Sequence, residues 1–279
     1  MSFALRNRPF QDSSAGSVDF NVVFAGLAVT GFLNGSVLRM KNALSNDPVG
    51  ALLGTFGISV IVWVGIGFAT AFLWASTGRE FSRRDACMAL GAFALFLVPA
   101  APFSWIGLTL IAVYIMRGAA PASIHRRGAA ILLAVTVPMF WSRLAFSLFG
   151  DVLLRIDAAL VSAATGAYRV GNAIAFAVGW GYYWIAPACS SVANISLAFL
   201  VYVLAREIPS GERRLPFRYG LLAIFSVVAL NVARMGITGI SRAHYDLMHG
   251  PLGATLAGWL SLAAMTGICW WGGHRVRNA

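Results

Sequence analysis

Apolar runs of bilayer length constrain this chain more than any other feature. Residues 20–38, 50–75, 128–149, 192–205, 219–240 and 251–271 are each long enough to cross, or nearly cross, a hydrocarbon core of about 30 Å. Backbone polar groups find no water in that core, so each run must close its hydrogen bonds within itself, as a helix. A seventh run, residues 87–116, is apolar throughout but carries Pro99 and Pro102. Prolines about one turn apart favour a bend. This run therefore reads as two short helices joined at residues 100–104, and the expected number of spans is eight. With 59% hydrophobic and 11% charged residues, little is left for a soluble domain. The fold class is an all-α polytopic membrane protein, one integral domain over residues 1–279. It divides into N-terminal spans (1–150), an insertion leading to a cysteine (151–191) and C-terminal spans (192–279).

The net charge of +11 would point to nucleic acid in a soluble protein. Here the arginines sit in short clusters between apolar runs, which membrane topology explains, so lipids rather than nucleic acid are the expected surroundings. Arginines should gather in the cytoplasmic loops if the spans are read correctly. Arg6 and Arg8, then Arg79, Arg83 and Arg84, then Arg117, Arg126 and Arg127, then Arg206, Arg213, Arg214 and Arg218, then Arg275 and Arg277 all fall on one side. The other side receives Arg39, Lys41, Arg155, Arg169 and Arg242, with Arg143 and Arg234 near span ends. Both termini are thus expected in the cytoplasm. Residues 1–19 mix Arg6 and Arg8 with Gln11, Asp12, Ser13 and Ser14, and read as a cytoplasmic tail rather than a signal peptide.

The insertion has two parts, both expected outside the cytoplasm. Residues 151–167 carry Asp151, Arg155 and Asp157 among apolar positions and read as a helix lying in the membrane interface. Residues 173–178 and 182–186 flank Gly179-Trp180-Gly181, the pattern of a small β-hairpin.

Chemistry-bearing groups gather at one level of this topology. Cys189 precedes a span that begins on the outer side, where helix-start N–H groups favour a thiolate. Arg234 is about 24 Å along the next span, near the same face, and His249 immediately precedes the last span. A thiolate attacks, an imidazole takes and returns its proton, and an arginine stabilises an oxyanion or a carboxylate, which together are the equipment of acyl transfer. Each group also has a plainer reading. Cys87 and Cys269 read as packing residues. Arg234 can snorkel to headgroups or pair with Asp246, and Asn231, one turn earlier, can simply bond a neighbouring helix. His244 lies in the same loop as His249 and competes with it as the base. The three cysteines show neither metal-ligand spacing nor an even count for disulfides, and no metal or cofactor is expected.

In order, these residues resemble the exosortase/archaeosortase family of transmembrane sorting enzymes. The elements are a glycine-containing hairpin leading to Ala188-Cys189-Ser190-Ser191, then Asn231-Val232-Ala233-Arg234, then His249-Gly250-Pro251-Leu252-Gly253 opening the final span. The likeness covers about the C-terminal half. It implies a cysteine, arginine and histidine site falling on Cys189, Arg234 and His249, with Asn231, Ser190 and His244 as supporting candidates. It further implies exported proteins as substrates, each carrying a C-terminal signal of short motif, transmembrane helix and basic tail. Cleavage through a thioester and transfer to a membrane-anchored, lipid-linked acceptor would follow, at the outer face of a bacterial inner membrane. The sequence departs from the family pattern at Ser191, where glycine is usual, and at Pro187-Ala188, where an acidic residue often precedes the cysteine. Three rival functions stay open at this level: an intramembrane hydrolase using the same thiol without transfer, a small transporter with Arg234 lining its path, and a non-enzymatic assembly or anchoring protein that keeps the fold.

Overall fold

The computed structural model describes residues 19–75, 80–209 and 213–278. The tail carrying Arg6 and Arg8, and Arg79 in the first arginine loop, lie outside the described residues. Helix α1 (Phe20–Asn46) begins where the Asp19 carboxylate accepts the Asn21 N–H. A short α2 (Pro48–Leu53) and a 3-10 turn (Thr55–Gly57) lead into α3 (Val60–Trp74). Helix α4 (Arg83–Leu97) opens on a capping box in which Ser82 and Asp85 satisfy each other's backbone donors. The chain breaks before α5 (Ala101–Gly118), then enters α6 (Ile124–Thr136), a π-helical segment (Val137–Trp141) and α7 (Ser142–Thr165). Three short strands follow, β1 (Arg169–Val170), β2 (Ala173–Ala175) and β3 (Tyr182–Trp184), and then α8 (Val192–Glu207), α9 (Phe217–Thr238), α10 (Arg242–His249) and α11 (Pro251–Asn278).

Among the described residues, six segments are long and apolar enough to cross a membrane: α1, α5, the 42-residue run Ile124–Thr165, Pro187–Glu207, α9 and α11. The other two spans of the sequence reading correspond to shorter helices. Helices α3 and α4 have 15 residues each, about 22 Å at 1.5 Å per residue, short of a full hydrocarbon core. The run 50–75 loses its first third because Thr55 and Phe56 take up φ of 52° and 57°, a left-handed geometry that no helix continues through. Large apolar side chains such as Leu53, Phe225, Trp259 and Leu260 remain exposed around the bundle. Water would penalise such a surface heavily, and lipid does not.

The expected interface helix, residues 151–167, falls within α7, which follows α6 and the π segment without an intervening loop. Pro138 has no N–H to give, and the ladder resets with Ser142 N–H donating to the Val137 carbonyl, five residues back. Phe149, at φ −123° and ψ 17°, is non-helical and kinks α7 next to the expected boundary, so residues 150–165 form a helical segment of their own beyond the kink.

The strands form one antiparallel sheet, ordered β1, β2, β3, with Ala173 opposite Trp184 and Ala175 opposite Tyr182. It is shorter than the sequence pattern predicts. Beyond Ala175 the chain turns away, and Ala177 and Val178 donate their N–H groups to the carbonyls of Gly239 and Ile240, just past α9. The apolar alternation that reads as a longer strand thus serves to dock the sheet on the end of a helix.

Most buried hydrophobic side chains among the described residues fall into two clusters. The larger packs α1, α3, α4, α5, α6, α8, α9 and α11 around residues such as Phe24, Leu108, Leu132 and Leu200. The smaller joins Leu154, Ala158 and Val161 of α7, Ile174, Tyr183 and Ile185 of the sheet region, Met235 of α9, and Cys189. At the far end of α8, about 24 Å from its start, Arg127 donates to the carbonyls of Glu207, Ile208 and Pro209. The Glu207 carboxylate lies 3.4 Å from Arg206 and 3.6 Å from Arg214. Arginines therefore cap one end of α8 and the cysteine stands at the other.

Candidate functional site: a buried thiol facing an imidazole

Cys189 ends a 3-10 turn (Pro187–Cys189) that precedes α8 and is 5% exposed. Proline fixes the first dihedral of such a turn at low entropic cost, and the turn is anchored from two sides. The buried Asp157 carboxylate of α7 accepts from Ser190 Oγ at 2.7 Å, Ser191 N at 3.1 Å and Ser191 Oγ at 2.5 Å. From α9, Asn231 Nδ2 donates to the Cys189 carbonyl at 2.9 Å. Three donors on one carboxylate and one amide on the carbonyl compensate polar groups that have left water. Together they leave the thiol backbone few alternative positions.

His249 closes α10, one residue before Gly250 and Pro251 start α11. Its Nε2 lies 3.2 Å from Cys189 Sγ, and its Nδ1 lies 3.1 Å from the Tyr245 carbonyl oxygen. A carbonyl only accepts, so Nδ1 carries the proton, and in the neutral ring Nε2 presents its lone pair to the thiol. The ring also stacks on Tyr245, with centroids 4.2 Å apart and planes 16° from parallel. Orientation and tautomer are thereby both set by Tyr245, a residue that sequence reasoning passed over.

Arg234 sits one turn beyond Asn231 on α9, so the two share a helix face. Its Nη2 donates to the Met248 carbonyl at 3.2 Å, beside His249 in the chain, while its buried Nε has no partner among the described residues. The expected alternative partner, Asp246, forms no ion pair with it among the described residues. A guanidinium held by one bond, with an N–H group left free, is equipped to receive an anion.

The other sequence candidates separate clearly. Ser190 turns its hydroxyl to Asp157 and Asn231 supports the cysteine backbone, so both act through the turn. His244 sits 2.9 Å from Ser241 Oγ at the start of α10, an N-capping arrangement, and makes no contact with the thiol. Cys87 is exposed and Cys269 is buried in the larger core cluster; neither meets a histidine. Asp157, which the sequence shows only as one charge amid an apolar run, is an anchor of the cysteine turn that sequence reasoning does not single out.

Tyr183 completes the scaffold. Its hydroxyl donates to the Met235 carbonyl at 2.8 Å, and burial pushes the phenol up to about 12. No group of three or more metal-ligating side chains exists among the described residues. The arrangement offers a sulfur nucleophile, an adjacent proton acceptor in the correct tautomer, and a nearby guanidinium N–H. No family model, curated protein or solved structure matches the chain.

Proposed function

We propose that this protein is a transmembrane cysteine peptidase or transpeptidase that cleaves a C-terminal sorting signal from exported proteins, as the resemblance to exosortases implies. The observation that carries the reading is the 3.2 Å approach of His249 Nε2 to Cys189 Sγ, with Nδ1 anchored on a carbonyl. A packing cysteine needs no imidazole, and a packing histidine needs no fixed tautomer.

In the proposed reaction His249 Nε2 takes the thiol proton as Sγ adds to the scissile carbonyl. The oxygen becomes an oxyanion, which the Arg234 guanidinium stabilises. Collapse breaks the C–N bond, His249 returns the proton to the departing amine, and an acyl thioester on Cys189 remains. An amine of the acceptor, or water, then adds to the thioester and gives its proton to His249, which passes it to the leaving sulfur.

The topology that fits this chemistry has eight crossings, α3 and α4 passing through locally thin or protein-lined bilayer. Both termini and the arginine-capped end of α8 then face the cytoplasm, and Cys189 faces outward. A substrate that is itself a membrane helix would present its outer end to the thiol. The test is processing of a substrate with a transmembrane helix and basic tail from the same cell. Cys189→Ala, Cys189→Ser and His249→Ala are expected to lose processing at matched membrane levels, while Cys269→Ala retains it. Unchanged processing in Cys189→Ala would overturn the proposal, and the mass of the product's new C-terminus separates transfer from hydrolysis.

A further inference from the structure

Arg39 of α1 and Arg143 of α7 are absent from the chemistry above, yet they converge. Both line a cavity of about 570 Å³ that also touches Pro187 and Ser190, the residues on either side of Cys189. Both also line a second cavity of about 530 Å³ that runs along α1 and α5 past Trp105. Met139 and Ser147 are common to the two as well, so the arginines stand at a junction. Volumes of this size suit small-molecule ligands.

Lining the same two cavities, the two guanidinium groups face one space with like charge. Among the described residues neither forms an ion pair, and the one contact either makes is from Arg39 Nη1 to Met139 Sδ at 4.0 Å, a weak acceptor. Arg39 is half-buried and Arg143 exposed, and both stand near the ends of their spans that the proposed topology turns outward, where they line the junction of two cavities without a protein counter-charge. The π segment Val137–Trp141 ends just before Arg143 and sets the direction in which α7 leaves.

We infer that Arg39 and Arg143 bind the phosphate of a lipid headgroup, with the acyl chains lying along the apolar walls formed by residues such as Val62, Leu38 and Trp105. Two guanidiniums match the charge and oxygen count of a phosphate better than those of a single carboxylate. A polar junction opening into apolar cavities fits an amphipathic molecule. The site is distinct from the thiol and histidine, and the inference stands without the proposed peptidase activity.

The test is calorimetric titration of the full chain in an uncharged maltoside detergent. The probes are dihexanoyl phosphatidic acid, a phosphatidylcholine with the same chains, and inorganic phosphate. Wild type and Cys189→Ala should bind phosphatidic acid at one site per chain. Arg39→Gln and Arg143→Gln should each weaken it about tenfold or more, Arg39→Lys and Arg143→Lys, which keep the charge and lose the planar fork, should weaken it less, and Arg84→Gln in a separate arginine-lined cavity should retain the affinity. Equal binding by the glutamine variants, or none by wild type, would overturn the site. Inorganic phosphate binding as tightly as phosphatidic acid, with the same arginine dependence, would overturn the lipid assignment in favour of a free anion.

Discussion

Cys189 and His249 are 60 positions apart in the chain and meet at 3.2 Å, sulfur to nitrogen. The meeting depends on two helix starts, those of α8 and α11, being held at one level by α9, which bonds the Cys189 carbonyl through Asn231 and the Met248 carbonyl through Arg234. One turn of α9 therefore fixes both partners, and the approach is a property of the scaffold rather than of two flexible side chains.

That dependence predicts the effect of Gly253→Ala. A Cβ at Gly253 would meet the Leu247 carbonyl oxygen and stand 2.8 Å from the Met248 Cα, backbone that cannot rotate aside. Helix α10 would have to move off α11 and carry His249 with it. A displacement near 1 Å costs on the order of 10²-fold in rate, so processing should fall by about that factor while the thiol remains titratable. A variant with unchanged rate would show that His249 is not held by this contact.

Asp157→Asn places an NH2 group where donors from Ser190 or Ser191 already point. At least one donor of the turn then loses its acceptor, at about 1–3 kcal/mol for a buried group. Thermal unfolding in detergent should shift downward, and processing should fall with the thiol and histidine intact. A double change, Asp157→Asn with Ser191→Ala, should recover part of the stability, since it removes the unmatched donor.

Tyr183 gives a prediction in pH. Its phenol titrates near 12 in the folded protein because burial disfavours the phenolate, against about 10 in an unfolded chain. The unfolded state therefore loses its proton first as pH rises. The contribution of this group is fully present below about pH 10 and is lost progressively as pH rises toward 12. Tyr183→Phe removes the bond to Met235, at about 1 kcal/mol, and should flatten the stability curve in that window. Ultraviolet titration of wild type against Tyr183→Phe measures the missing phenol directly.

Most of the helices were legible from apolar run length, and the break between α4 and α5 from Pro99 and Pro102, because lipid leaves the backbone few alternatives. The positions of Cys189, Arg234 and His249 near helix ends were legible by counting 1.5 Å per residue. What counting could not supply was lateral placement. Nothing in the sequence shows that Asp157 turns toward Ser190 and Ser191, or that Tyr245 supplies the acceptor for His249. These are contacts between helices, set by rotation about each axis. The sheet was misjudged in length for a related reason: residues 177 and 178 pair with the chain after α9, and alternation alone does not name a strand's partner.

The most direct test of the central claim is to look for the covalent intermediate. Purified protein is mixed with a candidate substrate helix bearing a basic tail, quenched in acid, and mapped by mass spectrometry. An acyl adduct on Cys189, released by hydroxylamine and accumulating when acceptor is withheld, is the predicted result. Cleavage at the wild-type rate by Cys189→Ala, with no adduct at any residue, would contradict the account.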